Sequence, residues 1–314
     1  MKWRKIFSVS ILVAMTGCSS VSSVKTDVNH EDEHNPVYPA MAVPLQPRVQ
    51  NEVQIAKLSQ LLHHPEINDE LRAKALYERG CYYDELGLRD LAKIDFVQSL
   101  KINPAQPEIF NLLGLYFTQI GEFDTAYQAF DSTLDLDPQN QQAVYNRAVA
   151  LYYGGRTTLA LEDMVTHYNQ DPNDPFRVLW LSIMESELDE QTALENLRAR
   201  SLNHNDDWGW VLVGIMLGDI SEEEAVNRVM ESTQNNVVMA QRLTEAYFYL
   251  GKRYIAEGDT ARALSVYKLA ISLNVFDYVE HSYAFIELDR IFKEYKASRS
   301  LQKSEQNLVN VRFN

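Results

Sequence analysis

Residues of the same steric type recur every 34 positions through the first half of the chain. Five positions share this period: a small residue, a large apolar or aromatic residue, an alanine, a second large residue and a proline. The three sets are Gly80, Tyr83, Ala92, Phe96 and Pro104; Gly114, Phe117, Ala126, Phe130 and Pro138; and Ala148, Leu151, Ala160, Met164 and Pro172. Small residues let two helices cross closely, large ones fill the space between them, and proline ends the second helix. The period therefore predicts a stack of helix pairs.

A 34-residue helix pair is typical of the tetratricopeptide repeat, so we predict an all-α, tetratricopeptide-type helical solenoid. A fourth set follows later in the chain, with a valine at position 275 where the proline would stand. Between Pro175 and Gln241 the register is lost, but amphipathic segments continue, and Ser221 with Glu224 forms a capping-box pattern. The solenoid should therefore contain irregular middle repeats made of degenerate helix pairs. We expect Trp180, in this region, to be a core residue.

Composition and periodicity divide the chain into seven segments. They are a lipoprotein signal peptide at 1–17 that is removed, a flexible tether at 18–50, a leading helix region at 51–72, three repeats at 73–175, degenerate helix pairs at 176–243, a further repeat and capping helix at 244–295, and a polar tail at 296–314. The tether prediction depends on four prolines between positions 36 and 47 and on the lack of a helical period. We expect the tail to fray.

Cys18 lies directly behind an apolar run. Basic residues at positions 2, 4 and 5 precede the apolar stretch from Ile6 to Met15, which is the order of an export signal. Two small residues then lead to the cysteine, and the arrangement resembles a bacterial lipoprotein box. We predict that Cys18 becomes the lipidated N-terminus, with diacylglycerol and acyl groups as its only attached groups. An ordinary secretory signal with an incidental cysteine is the alternative. By resemblance to lipoprotein sorting rules, Ser19 favours the outer membrane.

The net charge of −15 limits the classes of partner that the chain can bind. A surface this acidic repels phosphate backbones, which argues against nucleic acid as a partner. Membrane contact should come from lipid rather than from a basic patch. With Cys18 acylated, Cys81 has no intrachain disulfide partner, so stability has to come from apolar burial.

Catalytic and metal-binding motifs are scarce in this sequence. It has no G-x-S-x-G elbow, Walker loop, H-E-x-x-H helix or paired cysteines, so we predict a protein that is not an enzyme and has neither cofactor nor metal. Cys81 falls on the first helix of a repeat, where a packed thiol is more common than a nucleophile. Glu280 and His281 are sequence neighbours on a predicted helix, and such neighbours do not face each other. The HEDEH segment at 30–34 favours solvated disorder over a metal site.

The first helices of the repeats predict a partner-binding groove. By the residue phase known for tetratricopeptide grooves, eight side chains should line it: Tyr77, Asp84, Glu85, Asn111, Gln119, Tyr145, Tyr152 and Tyr153. Tyrosines suit a peptide or a partner helix, because they combine apolar area with a hydroxyl at low entropic cost. For some of these tyrosines, packing between repeats is the alternative. The residues that clamp a terminal carboxylate in chaperone-binding repeats are absent, which disfavours that ligand.

Several short segments together resemble the NlpI family of tetratricopeptide lipoproteins of the Gram-negative envelope. Beside the box at Cys18 they are AVPLQP at 42–47, LYERG at 76–80, ALYYGGR at 150–156, DPNDPFR at 171–177, WGW at 208–210, FYLGK at 248–252 and VEH at 279–281. Several lie outside the general repeat consensus, so the likeness is to this family rather than to repeats at large. The acidic linker at 25–40 and the tail after Lys293 diverge from the family.

The resemblance implies a homodimeric, lipid-anchored outer-membrane adaptor that faces the periplasm. Such an adaptor brings peptidoglycan endopeptidases to a PDZ-containing, tail-specific periplasmic protease, and so regulates hydrolase turnover and cell-envelope growth and division. Two alternatives stay open. One is an envelope enzyme with a site in the irregular middle, and the other is a structural subunit of an outer-membrane assembly machine.

The leading helix adds modest support for a homodimer. Val53, Ile55, Leu58 and Leu62 give it more apolar surface than a solvated cap requires, so pairing across a two-fold axis would bury it. The alternative is a helix that packs only on its own first repeat.

Overall fold

The computed structural model describes residues 39–203 and 207–312. The predicted all-α fold is confirmed, because these residues form fourteen α-helices and no β-strand. The helices are α1 (Val49–Leu62), α2 (Asp69–Glu85), α3 (Arg89–Ile102), α4 (Pro107–Gln119), α5 (Phe123–Leu136), α6 (Gln141–Tyr153), α7 (Thr157–Tyr168), α8 (Pro175–Ser186), α9 (Glu190–Arg200), α10 (Trp208–Leu217), α11 (Glu222–Ser232), α12 (Asn236–Ala256), α13 (Thr260–Ser272) and α14 (Val279–Arg312), with a 3-10 turn at Ser201–Asn203. The described residues from Ala40 onward form one compact unit.

Close helix crossings hold the repeat pairs together, as the 34-residue period predicts. In the pair α4/α5, a Cβ atom on Gly114 would lie 2.4 Å from the Phe130 ring. In α12/α13, a Cβ atom on Gly251 would lie 2.4 Å from the Tyr267 ring. Both distances are far shorter than van der Waals contact, so only glycine lets the ring of the second helix lie against the backbone of the first.

The turn inside each repeat pair has a glycine with positive φ. Gly87, Gly121 and Gly155 are 34 residues apart and have φ angles of 73°, 77° and 74°. Gly258 takes the same conformation between α12 and α13, with φ of 77°. Glycine has no Cβ to clash in this left-handed region, so it ends the first helix and reverses the chain. The period of these turn glycines is visible in the sequence and strengthens the repeat assignment.

The middle of the chain continues the stack with less regular pairs. α8/α9 and α10/α11 fill the region between the third repeat and α12, and α10 contacts both α8 and α12. The Ser221 hydroxyl caps α11 by accepting a hydrogen bond from the Glu224 amide at 3.1 Å. Trp180 on α8 is completely buried, which confirms its predicted place in the core. Stacking thus persists where the sequence period does not.

Residues 40–46 differ from the flexible tether predicted for 18–50. Their backbone lies along α12 and α13: the Leu45 amide donates to the Leu273 carbonyl at 2.9 Å, and the Val43 amide donates to Asn236 Oδ1 at 2.8 Å. The side chain of Ala42 is buried. These bonds fix a segment whose prolines by themselves suggest only an extended linker. Residues 40–46 are therefore not part of a flexible tether, which would have to end before Ala40.

The end of the chain also differs from the prediction. α14 continues to Arg312 instead of ending near Tyr295, so residues 296–312 are helical rather than a frayed polar tail. α12 begins at Asn236, before the boundary at 244 that the sequence pattern indicated, because the Asn235 side chain accepts hydrogen bonds from the Val237 and Val238 amides.

Candidate functional site

Four first helices of the pairs, α4, α6, α8 and α12, each contact α14, and we call the side of them on which α14 packs the inner surface. α14 lies against it. Its residues Tyr283 and Ala284 are fully buried there, whereas the residues from Phe292 to Ser300 are exposed. The predicted groove is therefore filled, over the length of residues 279–291, by the last helix of the chain itself.

Aromatic rings form the centre of the contact between α14 and the inner surface. The Trp180 ring of α8 is 5.5 Å from the Tyr283 ring of α14, 6.4 Å from Tyr153 of α6 and 6.1 Å from Phe248 of α12, centroid to centroid. These distances lie in the range in which tilted and edge-on ring pairs attract each other beyond simple area burial. Residues of four helices therefore meet around one indole.

A buried ion pair lies beside these rings. Lys252 Nζ on α12 donates to Glu287 Oε1 on α14 at 2.8 Å and to the Tyr152 hydroxyl at 2.7 Å. The Tyr153 hydroxyl donates to the same carboxylate oxygen at 2.9 Å, and Arg290 lies 3.8 Å from the second oxygen. Burial acts to raise the pKa of Glu287, but Lys252 and Arg290 outweigh it, so the pKa is lowered and the carboxylate is charged.

Arg89, at the start of α3, ties the beginning of α14 to the first repeats. Its guanidinium donates to the Ser282 hydroxyl at 2.6 Å and to the Phe276 carbonyl at 3.3 Å. It also donates to the Gln119 side chain and lies 3.9 Å from Asp84. One arginine thus joins α2, α4 and α14.

Three of the predicted groove tyrosines belong to this packed region. Tyr152 and Tyr153 are buried beneath α14, and Tyr145 is half-buried, with its ring centroid 6.2 Å from that of Trp180. As residues of an open groove, Tyr152 and Tyr153 are wrongly placed by the sequence pattern. They are packing residues instead, which was the alternative for these tyrosines, because their hydroxyls are hydrogen-bonded to the ion pair between Lys252 of α12 and Glu287 of α14.

The other predicted groove residues fall into two groups. Tyr77 and Asn111 are half-buried on α2 and α4, where Tyr77 contacts Phe96 and Asn111 accepts a hydrogen bond from Asn146. Asp84 and Gln119 are partners of Arg89, and Glu85 faces α1, where it accepts a hydrogen bond from Asn51 at 2.7 Å. Tyr77 and Asn111 are thus half-buried groove residues whose contacts named here are with the repeats rather than with α14.

Two buried glutamates that sequence reasoning did not pair come together below the start of α14. Glu245 on α12 accepts a hydrogen bond from Trp208 Nε1 at 2.6 Å, and Glu280 on α14 accepts one from the Tyr249 hydroxyl at 3.4 Å. Burial raises the pKa of Glu245 to about 8, with a further contribution from the charge of Glu280. Burial also raises the pKa of Glu280 to about 7. At least one of the two carboxyls therefore holds a proton at neutral pH.

We expect this pair to make stability depend on pH. Because the folded-state pKa values lie above the unfolded value, the protons contribute stability that is complete below pH 4.5 and is lost as the pH rises through 7 to 8. Glu245→Gln keeps an acceptor for Trp208 but cannot ionise. The free energy of unfolding of the wild type, relative to Glu245→Gln, should therefore fall by about 1–3 kcal/mol between pH 5 and pH 8.

Urea unfolding at the two pH values measures this difference. Glu162→Gln, an exposed carboxylate on α7, is the matched control and should show no such pH-dependent difference. If the wild type and Glu245→Gln differ in free energy of unfolding by the same amount at both pH values, the pair does not hold a proton at neutral pH.

The candidate catalytic groups are built into the packing. Burial raises the pKa of the Cys81 thiol to about 11, so it carries little thiolate at neutral pH and is a poor nucleophile. His281 Nε2 lies 3.2 Å from the Ile271 carbonyl oxygen, and burial lowers the pKa of this imidazole to about 4. Its neighbour Glu280 contacts Tyr249 instead, so the two side chains have different partners.

The predicted dimer helix packs on the first repeat. α1 contacts α2, and Val53 is 40% exposed, while Ile55, Leu58 and Leu62 are half-buried. Part of the apolar surface of α1 thus stays open to solvent in the single chain, and the homodimer stays a prediction.

The predicted lipidation site, Cys18, and the HEDEH segment at 30–34 lie outside the described residues. In the part of the chain that the structure does describe, no helix has the length and apolarity to cross a bilayer. Within the same residues, no three His, Cys, Asp or Glu side chains converge as a metal site would require.

The family model of the tetratricopeptide repeat matches residues 73–106, which cover most of α2 and all of α3. The chain therefore contains a tetratricopeptide repeat at residues 73–106. Among solved structures, a tetratricopeptide repeat protein from Parabacteroides merdae is 18% identical and covers 76% of this chain and 90% of its own, with a TM-score of 0.47. The Pseudomonas aeruginosa protein pilF is 15% identical and covers 73% of this chain and 99% of its own, with a TM-score of 0.41. Yeast Tom70 is 13% identical and covers 82% of this chain and 62% of its own, with a TM-score of 0.38.

Proposed function

We propose that this protein is a lipid-anchored adaptor of the outer membrane that faces the periplasm. Its partners are peptidoglycan endopeptidases and a PDZ-containing, tail-specific protease, so that it regulates hydrolase turnover and cell-envelope growth and division. Support comes from the repeats, which form protein-binding surfaces, and from the sequence segments that resemble the NlpI family. The poor nucleophilicity of Cys81 and the structural use of His281 and Glu280 agree with a role that is not enzymatic.

The observation that carries the adaptor proposal is that the inner surface already holds a helix. Residues 279–291 of α14 place Tyr283, Ala284 and Ile291 against it and turn Phe285 and Asp289 to solvent. A surface of this kind recognises amphipathic helices through apolar anchors and a few polar bonds. Tyr77 and Asn111 are half-buried and contact Phe96 and Asn146 of the repeats, and we assign the surface around them to a partner.

Affinity capture tests this function. The lipid-free chain, immobilised and exposed to a Gram-negative envelope extract, should retain peptidoglycan endopeptidases and the protease, and a Tyr77→Ala/Asn111→Ala variant should retain at least tenfold less. Tyr295→Ala, an exposed tyrosine on α14, is the control. Capture of outer-membrane barrel components in place of hydrolases, or intrinsic peptidase or glycosidase turnover that one substitution abolishes, would refute the proposal.

Anchoring is proposed to depend on Cys18. Several acyl chains on one cysteine bind a bilayer more firmly than the single chain that gives reversible binding. Changing Cys18 to alanine should therefore release the chain into the periplasm or leave an uncleaved precursor, as membrane fractionation would show. A Cys18→Ala chain that still fractionates as a mature outer-membrane protein would rule the lipid anchor out.

The homodimer is proposed to form through α1. An interface that persists should bury on the order of 1,000 Å² or more in total, and Leu58→Glu would place a charge inside it. Light scattering should therefore show two chains for the wild type and one for Leu58→Glu. A wild-type mass of one chain, or a dimer that Leu58→Glu leaves intact, would remove α1 as the interface.

A further inference from the structure

A second binding surface lies at the ends of α8, α10 and α12, and Lys252 of α12 is among its lining residues. There the three helices and the start of α9 enclose a cleft of about 410 Å³. Ile183, Met216 and Ile255 give it apolar walls, and Leu194, 41% exposed, stands at its mouth. Both the volume and the apolar lining are those of protein sites that enclose a ligand group.

The charges around the cleft select the kind of ligand. Its two cations are already engaged: Lys252 by Glu287, and Arg253 by Glu257 at 2.7 Å and by the Ile215 and Ile220 carbonyls. The exposed carboxylates of Glu187 and Glu190 stand at the rim and form no ion pair among the described residues. A cleft with apolar walls, neutralised cations and free carboxylates at its edge complements an apolar group next to a positive charge.

We propose that this cleft binds a leucine- or phenylalanine-type side chain of a protein partner, flanked by lysine or arginine that pairs with Glu187 and Glu190. The proposal rests on the adaptor function and adds to it the chemistry of one partner segment. The apolar side chain gains affinity by leaving water, whereas the rim charges select basic over acidic segments. Binding should therefore weaken as salt is raised.

Two synthetic peptides test the charge selection, acetyl-Lys-Leu-Phe-Leu-Lys-amide and its counterpart with glutamate in place of both lysines. Titration calorimetry with the lipid-free chain should show at least tenfold tighter binding of the basic peptide. Glu190→Lys should weaken it about tenfold, whereas Glu195→Lys, the same charge change at an exposed position of α9 outside the cleft, should leave it unchanged. In Glu187→Lys/Glu190→Lys the preference should reverse toward the acidic peptide.

A steric variant separates the cleft from the surface in general. Ser186 is exposed at the cleft, so Ser186→Trp should fill it and abolish binding of both peptides while the thermal midpoint stays within a few degrees. No binding of the basic peptide, equal binding of both peptides, or equal losses from Glu190→Lys and Glu195→Lys would overturn the proposal.

If Ser186→Trp still captures the same envelope hydrolases as the wild type, this cleft is excluded as their site while the adaptor function stands. If the wild type captures none, the adaptor function itself fails.

Discussion

Replacing Lys252 by methionine should lower the free energy of unfolding by about 3–5 kcal/mol, because it leaves a buried carboxylate without its main counter-charge. Glu287 is 3% exposed, and Lys252 Nζ is its closest cation, at 2.8 Å. The remaining cation, Arg290, lies 3.8 Å from the carboxylate and is itself partly exposed. Chemical denaturation followed by circular dichroism gives the loss, and hydrogen exchange should show faster opening of residues 279–291.

Two further variants test whether the loss comes from the unpaired charge. Lys252→Met/Glu287→Met removes both charges, and it should recover most of the stability, since a buried pair replaced by apolar groups of similar size is often neutral. Lys293→Met breaks the exposed pair with Asp289 on the same helix and should change the free energy of unfolding by less than about 1 kcal/mol. If the single and double variants at Lys252 lose the same amount, the cause is lost packing rather than the isolated carboxylate.

Trp180→Ala should cost about 3–5 kcal/mol, which is the range for truncating a fully buried tryptophan. Trp180 has no exposed surface, and its ring touches residues of α6, α12 and α14 at once. The cavity left by the indole therefore lies where four helices meet and cannot close by moving one of them. Urea unfolding measures the loss in the free energy of unfolding.

Phe292→Ala is the control for Trp180→Ala. The Phe292 ring is also aromatic and lies on α14, but it is 53% exposed, so its removal should change stability by no more than about 0.5 kcal/mol. A loss below 1 kcal/mol for Trp180→Ala would contradict the packing of α14 on the inner surface described above.

The repeat pattern predicted the close crossings well, and the groove less well. Gly114 with Phe130 and Gly251 with Tyr267 meet as their spacing requires, because a separation of 16 positions suffices for one helix to turn back on the other. Tyr152 and Tyr153 also have the phase of inward-facing residues, and they do face inward. The position of a residue within the repeat does not show what its inward-facing side chain contacts. For Tyr152 and Tyr153, the contact is with α14.

The sequence does contain a signal that α14 packs on the inner surface. Lys252 directly follows the run YFYLG at 247–251. Glu280 and Glu287 are seven residues apart, which places them on one face of a helix together with Tyr283 and Ala284. A lysine on an apolar face requires a buried anion. The pattern indicates that such an anion exists, but it does not say which of the 44 acidic residues supplies it.

Helix content, the pairing of helices and the turn glycines follow from the sequence, because each depends on the sterics of residues within one 34-residue unit. The positions of α14 and of residues 40–46 do not, since their contacts join distant parts of the chain. Tyr153 and Glu287 are 134 residues apart, and Tyr247 and Ala40 are 207 apart. Contacts at that separation leave no period in the sequence, and they form only once the stacked helices have created the surface on which α14 packs. Whether the inner surface is open or filled was therefore decided by the tertiary structure.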